Sequence, residues 1–170
     1  MNNIIIIIIA CIILGTILHF LYDKTNKNPI VGIFSATNES IWEHLKLSFF
    51  PIIIVGVFEY IFARQGMNNF WSSKLIGAIA AMIFTVVAFY TYYGILGKDY
   101  FILDIIIFIV SIILGELISY KIMMIEPMET EILSIIGIVI ITLIFAIFTK
   151  NPPDIPLFQD FSKKDSQFES

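Results

Sequence analysis

Five apolar runs, separated by short polar stretches, leave this chain very few folds. They cover roughly residues 4–22, 45–63, 75–96, 101–120 and 132–149. A bilayer's hydrocarbon core is roughly 30 Å thick, which a helix rising 1.5 Å per residue crosses in about 20 residues. Each run is apolar all round rather than along one stripe, which suits lipid. The abundance of Ile and Val would favour strands. A spanning strand, however, needs only about 10 residues and alternates in polarity. Without water, the backbone of an open-ended span has to satisfy itself, and a helix does so. The expected fold is therefore all-α: a polytopic transmembrane bundle of five spans forming one domain over residues 1–150. A Pro-containing polar tail, 151–170, follows it.

Composition closes off other classes. The chain is 58% hydrophobic and 14% charged, with mean hydropathy +0.91, against about 45–50% and about 25% in soluble domains. A net charge of −4 with 10 Lys+Arg leaves no basic face for nucleic acid. Cys11 is the single cysteine, so no disulfide framework exists, and the hydrophobicity excludes a disordered chain. Neither GxxxxGK[ST] nor GxGxxG occurs, which argues against ATP-driven transport by this chain alone. The first run lacks a charged n-region (Met1-Asn2-Asn3) and a small-x-small exit, so it reads as a retained helix, not a cleaved signal. The expected partner is the lipid bilayer of the plasma membrane, with a small solute or ion as a further candidate. No internal repeat is visible, and five spans do not divide into two equal inverted halves. A homo-oligomer stays open.

Lysine and arginine in short loops favour the cytoplasm. The first loop and its flanks hold Lys24, Lys27 and Lys46, the third loop Lys98, and the C-terminal end Lys150, Lys163 and Lys164; the other side holds Arg64, Lys74 and Lys121. Seven against three places the N-terminus outside and the C-terminus in the cytoplasm. Trp71 and the Tyr90, Tyr92, Tyr93 group mark interfaces. Every span carries a glycine, which allows close helix approach.

The segment from Asn28 to Lys46 is the densest in polar groups. Ser40-x-x-Glu43 reads as a capping box opening the second span, with Asn38 or Thr37 as alternative caps. Trp42 then reads as an interfacial anchor, Lys46 as a snorkelling cation, and Pro51 as a kink that frees a carbonyl. A functional reading stands beside this one. The two histidines, His19 and His44, both belong near the first-loop face, and Asp23 lies one turn beyond His19. Two imidazoles with carboxylates from Asp23, Glu39 or Glu43 would suit a divalent metal such as Zn²⁺. Glu43 or Glu39 would then act as the catalytic base, although no HExxH spacing is present.

Glu59, Asp104 and Glu116 fall inside or near the spans. A carboxylate at the bilayer centre costs roughly 2.5–3.5 kcal/mol on insertion scales, so it turns to a partner or a wet cavity. Arg64 and Lys121 follow Glu59 and Glu116 by five residues and are available loop cations. The alternative is a proton or cation path running from Glu39/Glu43 toward Glu59 and Glu116.

The run His19-Phe-Leu-Tyr22-Asp23, then Asn28-Pro29, then Asn38-Glu39-Ser40-Ile-Trp42-Glu43-His44-Leu-Lys46 and Phe49-Phe50-Pro51 resembles an uncharacterised family of small bacterial polytopic membrane proteins, domain of unknown function 6512. Pro152-Pro153-x-x-Pro156-Leu157-Phe158-x-Asp160 is similar as well, whereas Phe161-Ser-Lys-Lys departs from the Pro-x-Thr-Gly-like continuation of that family. The resemblance implies an inner-membrane location and points to the first loop without naming a chemistry. Three functions follow as expectations: a solute-, ion- or proton-handling protein, a membrane-embedded metal-dependent enzyme, or a non-catalytic accessory or scaffold subunit.

Overall fold

The computed structural model describes residues 2–63 and 67–161. Six helices follow in order: α1 (Asn2–Lys24), α2 (Pro29–Phe34), α3 (Ile41–Ala63), α4 (Phe70–Leu96), α5 (Phe101–Met123) and α6 (Glu131–Lys150), then a 3-10 turn at Pro156–Phe158. All but α2 are long and apolar enough to cross a membrane. Among the described residues there are no strands, only an isolated antiparallel bridge between Ser40 and Asp160. All five helices expected from the apolar runs are present.

Their boundaries differ from the apolar runs where flanking polar residues are helical too. α3 starts at Ile41 because Ser40 caps it, its Oγ accepting the Glu43 N–H at 3.4 Å. The reciprocal half of the capping box does not form: Asn38 Oδ1, not Glu43, accepts the Ser40 N–H, at 2.8 Å. α4 starts at Phe70 and so takes in Lys74, which the apolar pattern places in a loop. It ends at Gly97, whose φ of +74° is the left-handed cap that glycine adopts without penalty. α5 stops at Met123, ahead of Pro127. The short α2 lies outside the five expected helices, yet it begins as its residues dictate. Asn28 Oδ1 accepts the Ile30 N–H at 2.9 Å, and Pro29 occupies the first turn, where a missing N–H costs nothing.

α3 is the central helix, packed against α1, α4 and α5. Phe49, Phe50 and Ile52 from α3 meet Cys11 and Leu18 of α1, Ala78 and Ala81 of α4, Ile112 of α5 and Phe145 of α6. Outward-facing Ile6, Phe62, Ile83, Val87, Ile132 and Leu133 are exposed, as lipid-facing positions are. The first loop, the α4–α5 connection and the start of the tail gather at one end. There Ser40 bridges Asp160, Phe161 packs on Phe89 and Tyr93, and Phe158 stacks on Trp42 at 4.7 Å. Trp42 also meets Phe145 at 4.9 Å, so it joins α3, α6 and the tail rather than serving only as an interfacial anchor. At the other end, Asn69 Nδ2 donates to the Glu126 carbonyl at 3.0 Å and the Trp71 N–H donates to Glu131 at 2.8 Å.

The closest helix crossing is α4 over α5. A Cβ on Gly77 would stand 2.4 Å from the Gly115 carbonyl oxygen, and one on Gly115 would stand 2.8 Å from that of Gly77. No GxxxG spacing announces this contact, because each helix contributes one glycine to it. Backbone cannot give way as a side-chain tip can, so Gly115→Ala should destabilise the bundle by about 1–3 kcal/mol. Gly94, where an added Cβ would meet nothing within 4 Å, is the control. Thermal melting in detergent should fall for Gly115→Ala and hold or rise for Gly94→Ala.

Candidate functional site

Among the described residues, polar groups gather at the first-loop end of the bundle, deeper toward the opposite end, and between the two. At the first-loop end, α1 contributes His19, the segment before α3 contributes Glu39, and the first turn of α3 contributes His44. His44 Nε2 is 3.5 Å from Glu39 Oε2, and His19 Nε2 is 4.0 Å from Oε1 of the same carboxylate. The imidazole rings lie 5.6 Å apart. His44 Nδ1 lies 2.9 Å from the Ser40 carbonyl oxygen. A carbonyl can only accept, so this nitrogen carries the hydrogen and directs Nε2 at Glu39. One donor atom from each of His19, Glu39 and His44 falls within 4.8 Å of the others.

Beside this trio lies a cavity of about 150 Å³ lined by His19, His44, Asp104, Phe20, Phe101 and Phe108. Asp104, in the first turn of α5, is half-buried, and it shares the Tyr92 hydroxyl with Asp99 at 2.7 and 2.6 Å. A phenol has one proton to donate. Both contacts are satisfied together only when one carboxyl group carries a proton and donates it to the phenol oxygen.

Glu43 faces away from the histidines. Its carboxylate meets Lys46 Nζ at 2.5 Å and accepts from the Thr37 N–H at 2.7 Å and the Thr37 hydroxyl at 3.0 Å. Lys46 is fully buried and donates to the Gly32 carbonyl at 2.7 Å and to Thr149 Oγ1 at 3.0 Å. It does not snorkel: with acceptors on three sides, the ammonium is better satisfied inward than at the interface. This pair ties α2, α3 and α6 together. Ser35 reinforces it by donating to the Leu18 carbonyl and accepting from the Tyr22 N–H. Asp23 is exposed at the end of α1 and stands outside the His19–Glu39–His44 trio.

The deeper cluster contains Glu59 and Glu116, but their cation is neither of those expected. Lys74 Nζ lies 2.7 Å from Glu59 Oε2 and 2.8 Å from Glu116 Oε2, with all three side chains buried. Lys121 is exposed, and Arg64 lies outside the described residues. Lys74 reaches both carboxylates because it sits one turn into α4, between α3 and α5. Cys11 joins from α1, its thiol 3.5 Å from Glu116 Oε1 and 3.6 Å from the Pro51 carbonyl oxygen. Two carboxylates against one ammonium leave the group one positive charge short of neutrality.

Between the clusters, buried Ser48 on α3 lies 3.3 Å from Thr85 Oγ1 of α4 and 3.1 Å from Ser111 Oγ of α5. A cavity of about 20 Å³ lined by His44, Ser48, Thr85 and Asp104 adjoins it, and one water molecule needs roughly 10–15 Å³. His44, Ser48 and Glu59 are 4 and 11 residues apart along α3 and so share one stripe of that helix. In the sequence Cys11 reads only as a lone cysteine and Tyr92 only as an interfacial aromatic, and nothing in the pattern points to Asp99 or the Ser48 group. For Lys74 the one available signal is the Ser72-Ser73-Lys74 run ahead of the third apolar stretch, which helical spacing extends inward.

These features define a helical protein with the build of a multi-pass membrane protein. A family of unknown function (DUF6512) matches residues 1–165, and the chain belongs to it. No curated protein and no solved structure matches the chain.

The charge count of the deep cluster makes a stability prediction. Lys74→Met strands two buried carboxylates and should cost about 3–5 kcal/mol. Glu59→Gln leaves a neutral one-to-one pair and should stay within about 1 kcal/mol of wild type. Melting of the two variants in the same detergent checks the order.

Proposed function

We propose that this protein handles protons, passing them between the first-loop face and the buried carboxylates through the interior of the bundle. The observation that carries this reading is the Glu59–Lys74–Glu116 group: it is buried within the spans and takes one further positive charge to become neutral. Charged groups inside spans are expensive, and they mark ion or proton pathways when they are not simply paired. A second support is the Tyr92–Asp99–Asp104 arrangement at the other end, whose contacts are satisfied by one extra proton.

The route has named relays. From Asp104 and His44 it runs through the small cavity to Ser48, Thr85 and Ser111. One turn further along α3, the Cys11 thiol lies against Glu116 and the Pro51 carbonyl oxygen; the carbonyl only accepts, so the proposed transfer from the Ser48 group to Glu116 runs through water. His44 and Glu59 are 15 residues apart, about 22 Å along the helix axis, so the relays cover most of a hydrocarbon core. Glu43 takes no part as a base, because Lys46 and Thr37 occupy its oxygens.

The inferred orientation keeps the N-terminus outside and the first-loop end cytoplasmic, in the plasma membrane. Lys46 and Lys74 are buried and leave the loop count, and the remaining bias is six cations against two, in the same direction.

Reconstitution into liposomes containing a pH-sensitive dye, with a potassium diffusion potential, tests the proposal. Wild type should acidify or alkalinise the lumen with the imposed potential, and Glu59→Gln should slow this at least about tenfold while remaining folded. Flux in Glu59→Gln and Glu116→Gln equal to that of wild type would rule the pathway out.

A further inference from the structure

We propose that His19, Glu39 and His44 form a binding site for one divalent transition-metal ion of the Zn²⁺ type, with an open coordination position facing the adjoining cavity. The site shares His44 with the entrance of the proposed proton route, but it is argued from the geometry of the first-loop trio and not from proton flux.

The three side chains converge, with both imidazole Nε2 atoms turned toward one carboxylate. The Ser40 carbonyl fixes the hydrogen of His44 on Nδ1, so in the neutral ring Nε2 presents its lone pair to Glu39 Oε2 at 3.5 Å. His19 Nε2 faces the other oxygen of that carboxylate at 4.0 Å. The His44 lone pair and the carboxylate repel unless a positive charge lies between them, whereas nothing holds the His19 hydrogen on Nδ1 and its Nε2 can present either a hydrogen or a lone pair. A cation bound by all three removes the repulsion, and imidazole nitrogen selects transition metals over Mg²⁺ or Ca²⁺.

Geometry agrees with this. Tetrahedral zinc with Zn–N of 2.0–2.1 Å places its ligand atoms about 3.3 Å apart. The three donors, within 4.8 Å of one another, need only small side-chain rotations to reach that spacing. The backbone carbonyl behind His44 is the usual outer partner of a metal-bound imidazole, fixing its tautomer and ring orientation. His19 Nδ1 is buried without a hydrogen-bond partner, so that ring is held by packing and has no competing hydrogen bond to turn it. Two His and one carboxylate with a vacant fourth position is the ligand composition of catalytic rather than structural zinc. The cavity of about 150 Å³ beside the histidines gives that position room for a water molecule or small ligand, with Asp104 on its wall. Its remaining walls are mostly apolar, from Ile12, Phe20, Phe101, Ile105 and Phe108.

Cobalt substitution reads out the site directly. Untagged full-length protein in detergent is titrated with CoCl₂, followed by visible absorption and then by displacement with ZnCl₂. The expected result is one Co²⁺ per chain with the intense d–d bands of a low-coordinate site, abolished by Zn²⁺. His44→Ala and Glu39→Gln should each weaken binding by about 100-fold or more, beyond the loss typical of an outer partner. Glu129→Gln, an exposed carboxylate at the opposite end, should leave it unchanged. Glu39 is itself half-exposed, so Glu39→Gln keeps the packing and decides the matter if a histidine variant does not purify as a single species. Absence of the bands in wild type, or equal binding by wild type and Glu39→Gln, would overturn the proposal.

Discussion

Charge has to be neutralised inside an apolar bundle, and among the described residues α3 carries more buried charged side chains than any other span. Glu43, Lys46 and Glu59 all lie on this helix and are all buried. None of them can face lipid at acceptable cost. Each instead recruits a neighbour: Lys46 draws in the α2 backbone and Thr149 of α6, and Glu59 draws in Lys74 of α4 and through it Glu116 of α5. The central position of α3 follows from that need as much as from its apolar surface. The glycine crossing of α4 and α5 complements it, since Gly77 and Gly115 lie near Lys74 and Glu116 in sequence. Close approach of those backbones brings the ammonium within reach of both carboxylates.

The two ion-paired groups differ in what they leave over. Glu43 and Lys46 form a one-to-one pair whose remaining hydrogen-bonding capacity goes to Thr37, Gly32 and Thr149. Such a satisfied pair acts as a clamp and gives the first loop its shape. Glu59, Lys74 and Glu116 are unbalanced, and a thiol from α1 touches one of the carboxylates. Glu39, outside both groups, is left to the histidines. The same segment of sequence thus supplies a structural pair and, one turn away, a cluster of donors aimed at a cavity.

Much of this architecture is legible in the sequence, for physical reasons. Five apolar runs of spanning length specify five helices because nothing else spans as an open segment. The polar segment 28–46 announces a special region through Asn28-Pro29, Ser40 and the two histidines' shared end. What sequence alone leaves open is which acid meets which base. Glu43 sits beside Glu39 and His44 in the chain, yet a helix turns it toward Lys46 three residues on. Lys74 reads as a loop cation because Phe70-Trp71 resembles an interfacial boundary, although helical geometry carries the span one turn further. The docking of the tail depends on Phe158 and Phe161 finding Trp42 and Phe89, contacts between residues more than 70 positions apart for Phe161 and so invisible to local pattern.

An exchangeable proton held by the buried carboxylates is what separates a proton-handling bundle from a merely ion-paired one. Infrared difference spectroscopy of the protein in lipid, recorded across a pH step in H₂O and D₂O, observes that proton on its carboxyl group. Proton handling predicts a protonated-carboxyl C=O band that changes with the pH step, shifts in D₂O and disappears in Glu116→Gln. A spectrum in which every carboxyl change survives in both Glu116→Gln and Glu59→Gln would contradict it, leaving the deep cluster as a static ion pair.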